Sequence, residues 1–305
     1  MTPGKPLSGL RIGLFGKGGA GKSTVTVLLA EALLRQGYPV LVIDADSSNV
    51  GLAGALGIAR EPEPLLQYFG GAVFSGGRVT CPVDDPVPLA GASIALADLP
   101  PDCVAQNPDG IRLLAAGKLG TLGPGAGCDG PMTKIVRDLR VTDLGPDAVV
   151  LVDHKAGMED SARGALTSLD WALAVVDPTT AALQMAIHLA RMTDEMQTGI
   201  PPATRHLESP RLVDLAVRLF REARVREVLA ILNRVPDATT ETYLMDALSS
   251  RQIDVLGAMR ESPAIQDQWL RGGRLHSMLL SADAAAIVRR LERQCETAIA
   301  THRAS

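Results

Sequence analysis

Aromatic residues are scarce in this 305-residue chain: 4 Phe, 3 Tyr and 2 Trp. So few rings cannot furnish a stacking platform for nucleobases along a strand. A basic surplus is missing too, with 30 Lys plus Arg against 34 Asp plus Glu and a net charge of −4. Nucleic-acid-binding surfaces ordinarily carry a basic excess or stripe, so no nucleic-acid partner is expected. No apolar run reaches the roughly 18 residues that span a bilayer. The opening stretch MTPGKPLSGLRIGLFG lacks the charged-then-apolar pattern of a secretory signal, which makes a cytoplasmic location the expectation. Only four cysteines occur, Cys81, Cys103, Cys128 and Cys295, with no C-x-x-C pair. A chain this long and 46% hydrophobic builds a core without disulfide staples, which leaves free thiols or metal ligands as readings. Lysine is rare as well, six of the 30 basic residues, so each one is informative.

What is present is a regular alternation of short apolar runs and helical periodicity. RIGLF (11–15) ends in glycines and reads as a buried strand. Apolar residues recur at helical spacing from Lys22 to Arg35, Gly37 marks the stop, and YPVLVID (38–44) reads as a second strand. A strand–loop–helix–strand unit of this length implies parallel pairing. The stretch 58–128 differs: it is rich in Pro and Gly, weakly periodic, and holds three of the four cysteines. Within it 92–97 and 110–116 predict strands, and a helix is expected over 130–141. Strands follow at 147–153, 171–177, 228–235 and 253–259, with helices at 180–197, 210–223 and 283–301. The expected architecture is one doubly wound α/β domain over 1–305, a mostly parallel sheet flanked by helices, with 58–128 as a partly irregular insertion.

Gly16-Lys17-Gly18-Gly19-Ala20-Gly21-Lys22-Ser23 satisfies G-x-x-x-x-G-K-[ST] between a strand and a helix. Glycines let successive backbone N–H groups turn inward on phosphate oxygens, and the helix start adds unpaired N–H groups and a positive dipole end. Gly18, Gly19, Ala20, Gly21, Lys22, Ser23 and Thr24 are therefore the nucleotide contacts. Lys22 is assigned to the β- and γ-phosphates and the Ser23 hydroxyl to Mg²⁺. The cofactors expected are ATP or ADP with magnesium.

Lys17 is a second lysine in a loop that needs one. With it, GKGGAGKST resembles the deviant Walker A signature of the MinD, ParA and nitrogenase iron protein superfamily. The resemblance implies a P-loop NTPase of the SIMIBI type, in which Lys17 crosses a homodimer interface to the partner's nucleotide. Otherwise Lys17 is a solvated loop charge. DADSSN (44–49) takes the place of switch I, with Asp46 orienting the attacking water and Asp44 near magnesium. VVLVD (149–153) is similar to Walker B, so Asp153 is assigned to magnesium, and HKAGMED (154–160) takes the place of switch II. ILNRV (231–235) resembles the Asn-[Lys/Arg] base-recognition element, which assigns Asn233 and Arg234 to the nucleotide; an ordinary strand-end Asn is the other reading. His154 is a ligand, a proton shuttle or a packing residue.

Among the branches, the iron proteins carry a cluster cysteine seven residues beyond the Walker B Asp; here that residue is Asp160. A MinD-type membrane helix would present large apolar residues, and 283–301 has neither Phe nor Trp. NPDGIRLLAAGKLGTLGPGAGCDGPM (107–132) and VVLVDHKAGMEDSARGAL (149–166) resemble the CooC type, accessory ATPases for nickel insertion into carbon monoxide dehydrogenase. That resemblance implies a homodimer acting on a client metalloenzyme, with nickel or zinc at the interface. The type has C-x-C where this chain has Cys128-Asp129-Gly130, and Glu where it has Lys155. Cys128 from two subunits is then the candidate interface ligand, with Asp129 or other thiols completing the set. The alternative is a MinD/ParA-like positioning ATPase that acts on a protein partner without metal.

Overall fold

The computed structural model describes residues 5–72, 76–118, 128–275 and 277–304. Part of the 107–132 segment, residues 119–127, and the insertion residues 73–75 lie outside the described residues. The chain opens with strand β1 (Arg11–Phe15), helix α1 (Lys22–Arg35) and strand β2 (Val40–Asp44). Two short helices follow, α2 (Leu52–Ala55) and α3 (Leu65–Tyr68), then strands β3 (Ser93–Ile94), β4 (Ala105–Gln106) and β5 (Arg112–Ala115). Next come α4 (Gly130–Asp138), β6 (Arg140–Val141), β7 (Val149–Asp153), α5 (Glu159–Ala162) and β8 (Trp171–Val176). The remainder is α6 (Thr180–Gln197), α7 (Pro210–Arg221), β9 (Val228–Val235), α8 (Ala238–Ser249), β10 (Val255–Arg260), α9 (Pro263–Arg271) and α10 (Ser281–Ala304).

Eight strands form one sheet in the order β10-β9-β8-β1-β7-β2-β5-β4, parallel except for the β4–β5 pair at one edge. Burial on both faces is why β8, and β1 after its first residue Arg11, are continuously apolar rather than alternating. Side chains still divide by period two. Ile12, Leu14 and Val42 face the cluster under α1 and α10, whereas Phe15, Leu41 and Ile43 face the cluster under α4, α6 and α8. Strands β8, β9 and β10 are laid down on the opposite side of β1 from β2, so the order reverses beside β1. The crevice outside the carboxyl ends of strands at such a reversal is where open α/β sheets bind ligands.

Three elements depart from the sequence expectation. The 92–97 run contributes only β3, which pairs with β6 in a separate two-stranded ribbon. The Asp143 carboxylate accepts from the Leu96 and Ala97 N–H groups and turns the chain away from further pairing. The 58–128 stretch is not wholly an insertion, because β4 and β5 belong to the main sheet. Helices α8 and α9 are additions. Their starts carry legible caps: the Asp237 carboxylate accepts from Thr240 N–H at 2.7 Å, and Ser262 caps Ile265 ahead of Pro263.

Candidate active site

The loop after β1 wraps a cavity of about 560 Å³ at the carboxyl edge of the sheet. Gly19 and Gly21 have φ of +81° and +87°, a region that side-chain-bearing residues resist. A Cβ on Gly21 would also lie 2.3 Å from the Asn233 amide nitrogen. No side chain caps α1, so its first N–H groups remain donors at the cavity mouth. Gly18, Gly19, Gly21, Lys22, Ser23 and Thr24 line this cavity together with Asp46 and Asn49, and Ala20 is buried beneath it.

Asp44 and Asp153 end β2 and β7 and are register partners, so the sheet sets their carboxylates side by side. Both are buried, and burial pushes both pKa values up, Asp44 to about 7. Asp153 Oδ1 is fully buried and finds no hydrogen-bond partner among protein atoms. Asn49 Nδ2 donates to Ser23 Oγ at 3.0 Å and to Asp153 Oδ2 at 3.4 Å, which joins the hydroxyl to the carboxylate. An orphaned carboxylate oxygen beside a serine hydroxyl is a hard-oxygen donor set that fits Mg²⁺, which keeps most of its waters. Asp44 is differently engaged. Its Oδ2 accepts from Lys118 Nζ at 2.6 Å and its Oδ1 from Asp46 N–H at 3.0 Å. Lys118 Nζ also donates to the Asp46 and Asn49 carbonyls at 3.0 and 2.7 Å, and so pins the loop that presents Asp46. Sequence spacing gave no hint of this role for Lys118.

Other residues singled out by sequence have partners within the chain. Lys17 lies 3.2 Å from the Asp177 carboxylate. Asn233 Nδ2 donates to the Ala20 carbonyl at 2.7 Å, and Arg234 donates to the Gly19 carbonyl at 2.8 Å. Both thus brace the phosphate loop, Asn233 with one of the two N–H groups of its amide. Trp269 was not anticipated. Its indole N–H donates to Thr24 Oγ1 at 2.8 Å and its ring lines the cavity. His154 is a packing residue, stacked on Phe15 with ring centroids 4.3 Å apart. Burial raises the Asp160 carboxyl, but hydrogen bonds and charge from His154, Thr133 and Arg163 carry it below its ordinary range. Asp160 is therefore an interior residue of this chain.

Asp129, the residue before α4, joins three segments. Its carboxylate accepts from Ser47 Oγ at 2.5 Å and forms an ion pair with Lys155. These two partners hold the Asp129 carboxylate within the chain. Among the described residues no three His, Cys, Asp or Glu side chains gather to hold a metal.

Residues 14–275 match the family model for the CobQ/CobB/MinD/ParA nucleotide binding domain. The chain belongs to this family. It is a P-loop ATPase of the MinD/ParA type. It is 27% identical over 265 residues to the carbon monoxide dehydrogenase accessory protein CooC of Rhodospirillum rubrum, covering 84% of this chain and 86% of that one. An uncharacterised ATP-binding protein of Methanocaldococcus jannaschii is 33% identical over 189 residues, 61% of this chain and 74% of its own. In fold, the chain is similar to the MinD cell division protein of Aquifex aeolicus, with a TM-score of 0.58 and 19% identity over 92% of this chain and 96% of that one. Among the described residues no helix is long and apolar enough to cross a membrane.

Proposed function

We propose that this ATPase is a magnesium-dependent switch that closes as a homodimer over ATP and serves in assembling the metal centre of a client metalloenzyme. In this reading Lys22 pairs with the β- and γ-phosphates, and the backbone of 18–21 with the start of α1 cradles them. Ser23 and Asp153 hold magnesium, which when bound neutralises charge on the phosphates. Asp46 orients the attacking water, held in place through Asp44 and Lys118. Asn233 and Arg234 keep the loop in shape beside the base. Lys17 exchanges Asp177 for the partner's nucleotide on closure.

The observation that carries the reading is the position of Asp129. It bonds Ser47, one residue after Asp46, and Lys155, two residues after Asp153. Any shift of either segment with the γ-phosphate is thus transmitted to the cysteine-bearing start of α4. The relation to the carbon monoxide dehydrogenase accessory protein CooC over most of both chains supports the metal-centre role.

The test is sedimentation and ATP turnover with ADP, with ATP and with a non-hydrolysable analogue, for wild type, Lys22→Ala and Asp46→Ala. Lys22→Ala is expected to lose nucleotide binding. Asp46→Ala is expected to remain an ATP-bound dimer with turnover reduced by about 100-fold or more. Full turnover in Lys22→Ala, or a monomer in every nucleotide state, would overturn the reading. A dimer that binds no transition metal but captures a protein partner with ATP would favour a MinD/ParA-like positioning role instead.

A further inference from the structure

A second cavity, of about 620 Å³, opens at the amino edge of the sheet, the opposite edge from the phosphate loop. It lies where the ends of α6 and α7 meet the segments that enter β8 and β9. Its volume is in the range that holds a small molecule. Met196, Phe220, Ala223 and Val225 give it apolar walls, and Arg221, Arg224 and Arg226 give it charge. The walls are fixed by the backbone. Gln197 Nε2 donates to the Val225 carbonyl at 3.1 Å and also to that of Arg226, whose own N–H donates to the Asp170 carbonyl at 3.1 Å.

The arginines outnumber the acids beside them. Arg221 closes the last turn of α7, where a cation answers the negative end of the helix. Arg224 and Arg226 stand beyond that turn, in the loop that follows. Among the described residues Asp170 is the one carboxylate lining the cavity. Its Oδ2 accepts from the Arg11 backbone N–H at 2.8 Å, and its Oδ1 lies 3.5 Å from an Arg224 nitrogen. Arg221 and Arg226 form no ion pair among the described residues. Near Asp170 the positive surplus continues. Burial lowers the Arg140 pKa, and the charge of Arg224 lowers it further. The buried Arg11 side chain keeps an Nε with no partner among protein atoms. A positive field over apolar walls selects an anion that carries an apolar body.

Phe220 ties this cavity to the nucleotide side of the molecule. Its ring lies against Gly164, where a Cβ would sit 3.5 Å from Phe220 Cε2. Gly164 follows α5, and α5 continues directly from the segment that carries Asp153 and Lys155. A shift of that segment therefore reaches the cavity wall.

We propose that this cavity is an effector site for a small anion, a phosphate or carboxylate attached to an aromatic or branched apolar group, with an affinity that differs between the ADP and ATP states. Arg221, Arg224 and Arg226 receive the anionic group, and Met196, Phe220 and Val225 the apolar body. The site stands without a dimer; its nucleotide dependence rests on the switch reading given above.

The test is calorimetric titration of the full-length protein, saturated with Mg²⁺ and ADP so that the phosphate loop is filled. The probes are phenyl phosphate, phenylacetate, inorganic phosphate and benzyl alcohol. Phenyl phosphate or phenylacetate is expected to bind once per chain, and the tighter of the two names the headgroup. Inorganic phosphate and benzyl alcohol, each with half of the contacts, should bind about tenfold more weakly or worse. Arg224→Gln should weaken the tighter probe about tenfold. Ala223→Phe keeps every arginine but fills the cavity, and should abolish binding; thermal melts check the folding of both variants. With a non-hydrolysable ATP analogue in place of ADP the affinity should change about fivefold or more, and Phe220→Ala should remove that difference. Failure of both organic anions to bind, or unchanged binding in Ala223→Phe, overturns the site. Inorganic phosphate bound as tightly as phenyl phosphate means an arginine-held ion only and overturns it too. Equal affinity in the two nucleotide states overturns the effector role, and sedimentation in those states shows separately whether the switch itself has failed.

Discussion

Lys155 and Asp129 form an ion pair that joins the segment after β7 to the first turn of α4. The lysine reverses the charge expected at this position from the CooC type, and Asp129 is its complement. Hydrogen bonding to Asp129 raises the Lys155 pKa, so the ammonium stays charged throughout the neutral range.

Lys155→Glu sets two carboxylates against each other. Both partners are partly exposed, so the stability lost is about 1 kcal/mol. The larger effect is expected on coupling: ATP no longer changes the environment of Cys128. Cys128 alkylation rates with ADP and with an ATP analogue should differ in wild type and converge in the variant. The exchange Asp129→Lys with Lys155→Glu should restore the difference.

Lys118 and Asp44 predict a pH dependence. Burial, reinforced by Asp153 and opposed by Lys118, places Asp44 near 7, above its unfolded value of 3.8. The folded state therefore holds this proton more tightly than the unfolded chain. Stability from this group is full below about pH 4 and is lost as pH rises towards 7. Turnover runs the other way, because the ionised carboxylate is the form that pairs with Lys118 and fixes the loop of Asp46. The pH–rate profile should show an acid limb near 7. Lys118→Met should move that limb upward and lower kcat about tenfold, with nucleotide affinity within a factor of two. An unmoved limb would exclude Asp44 as its source.

Lys17 is held by Asp177 at 3.2 Å, in its own chain. With both groups partly exposed, this pair contributes at most about 1 kcal/mol, a factor of about five. Asp177→Asn should release Lys17 and tighten ATP-dependent self-association by about that factor. Lys17→Ala should abolish it, as read by sedimentation across concentrations.

Trp269 and Trp171 are the only tryptophans. Trp171 is buried within β8, whereas Trp269 borders the cavity and bonds Thr24. Nucleotide binding should therefore change the emission of Trp269 alone. The fluorescence response to ATP should vanish in Trp269→Phe and persist in Trp171→Phe.

Legibility followed the range of the interactions concerned. The phosphate loop was readable because its function resides in consecutive backbone atoms, and left-handed φ at Gly19 and Gly21 needs glycine locally. Strands β1, β2, β7, β8 and β9 were readable because burial on both faces demands unbroken apolar runs. Asp44 and Asp153 were readable as strand-end carboxylates. Lys118, Trp269 and Cys81 were not. Their partners lie at Asp44, Thr24 and Gly130, and no periodicity links residues so far apart. Asp129 was read as a possible ligand, whereas in the structure Lys155 and Ser47 bind its carboxylate.

The sequence by itself determined the α/β class, the phosphate loop and the carboxylates at its edge, because each is a local pattern of backbone freedom, apolar run and strand end. Tertiary structure alone decided which lysine holds which carboxylate, and that the Cys81 loop lies along α4. Those pairings follow from strand order and helix packing, which bring distant charges within bonding distance through contacts that no short stretch of the chain encodes.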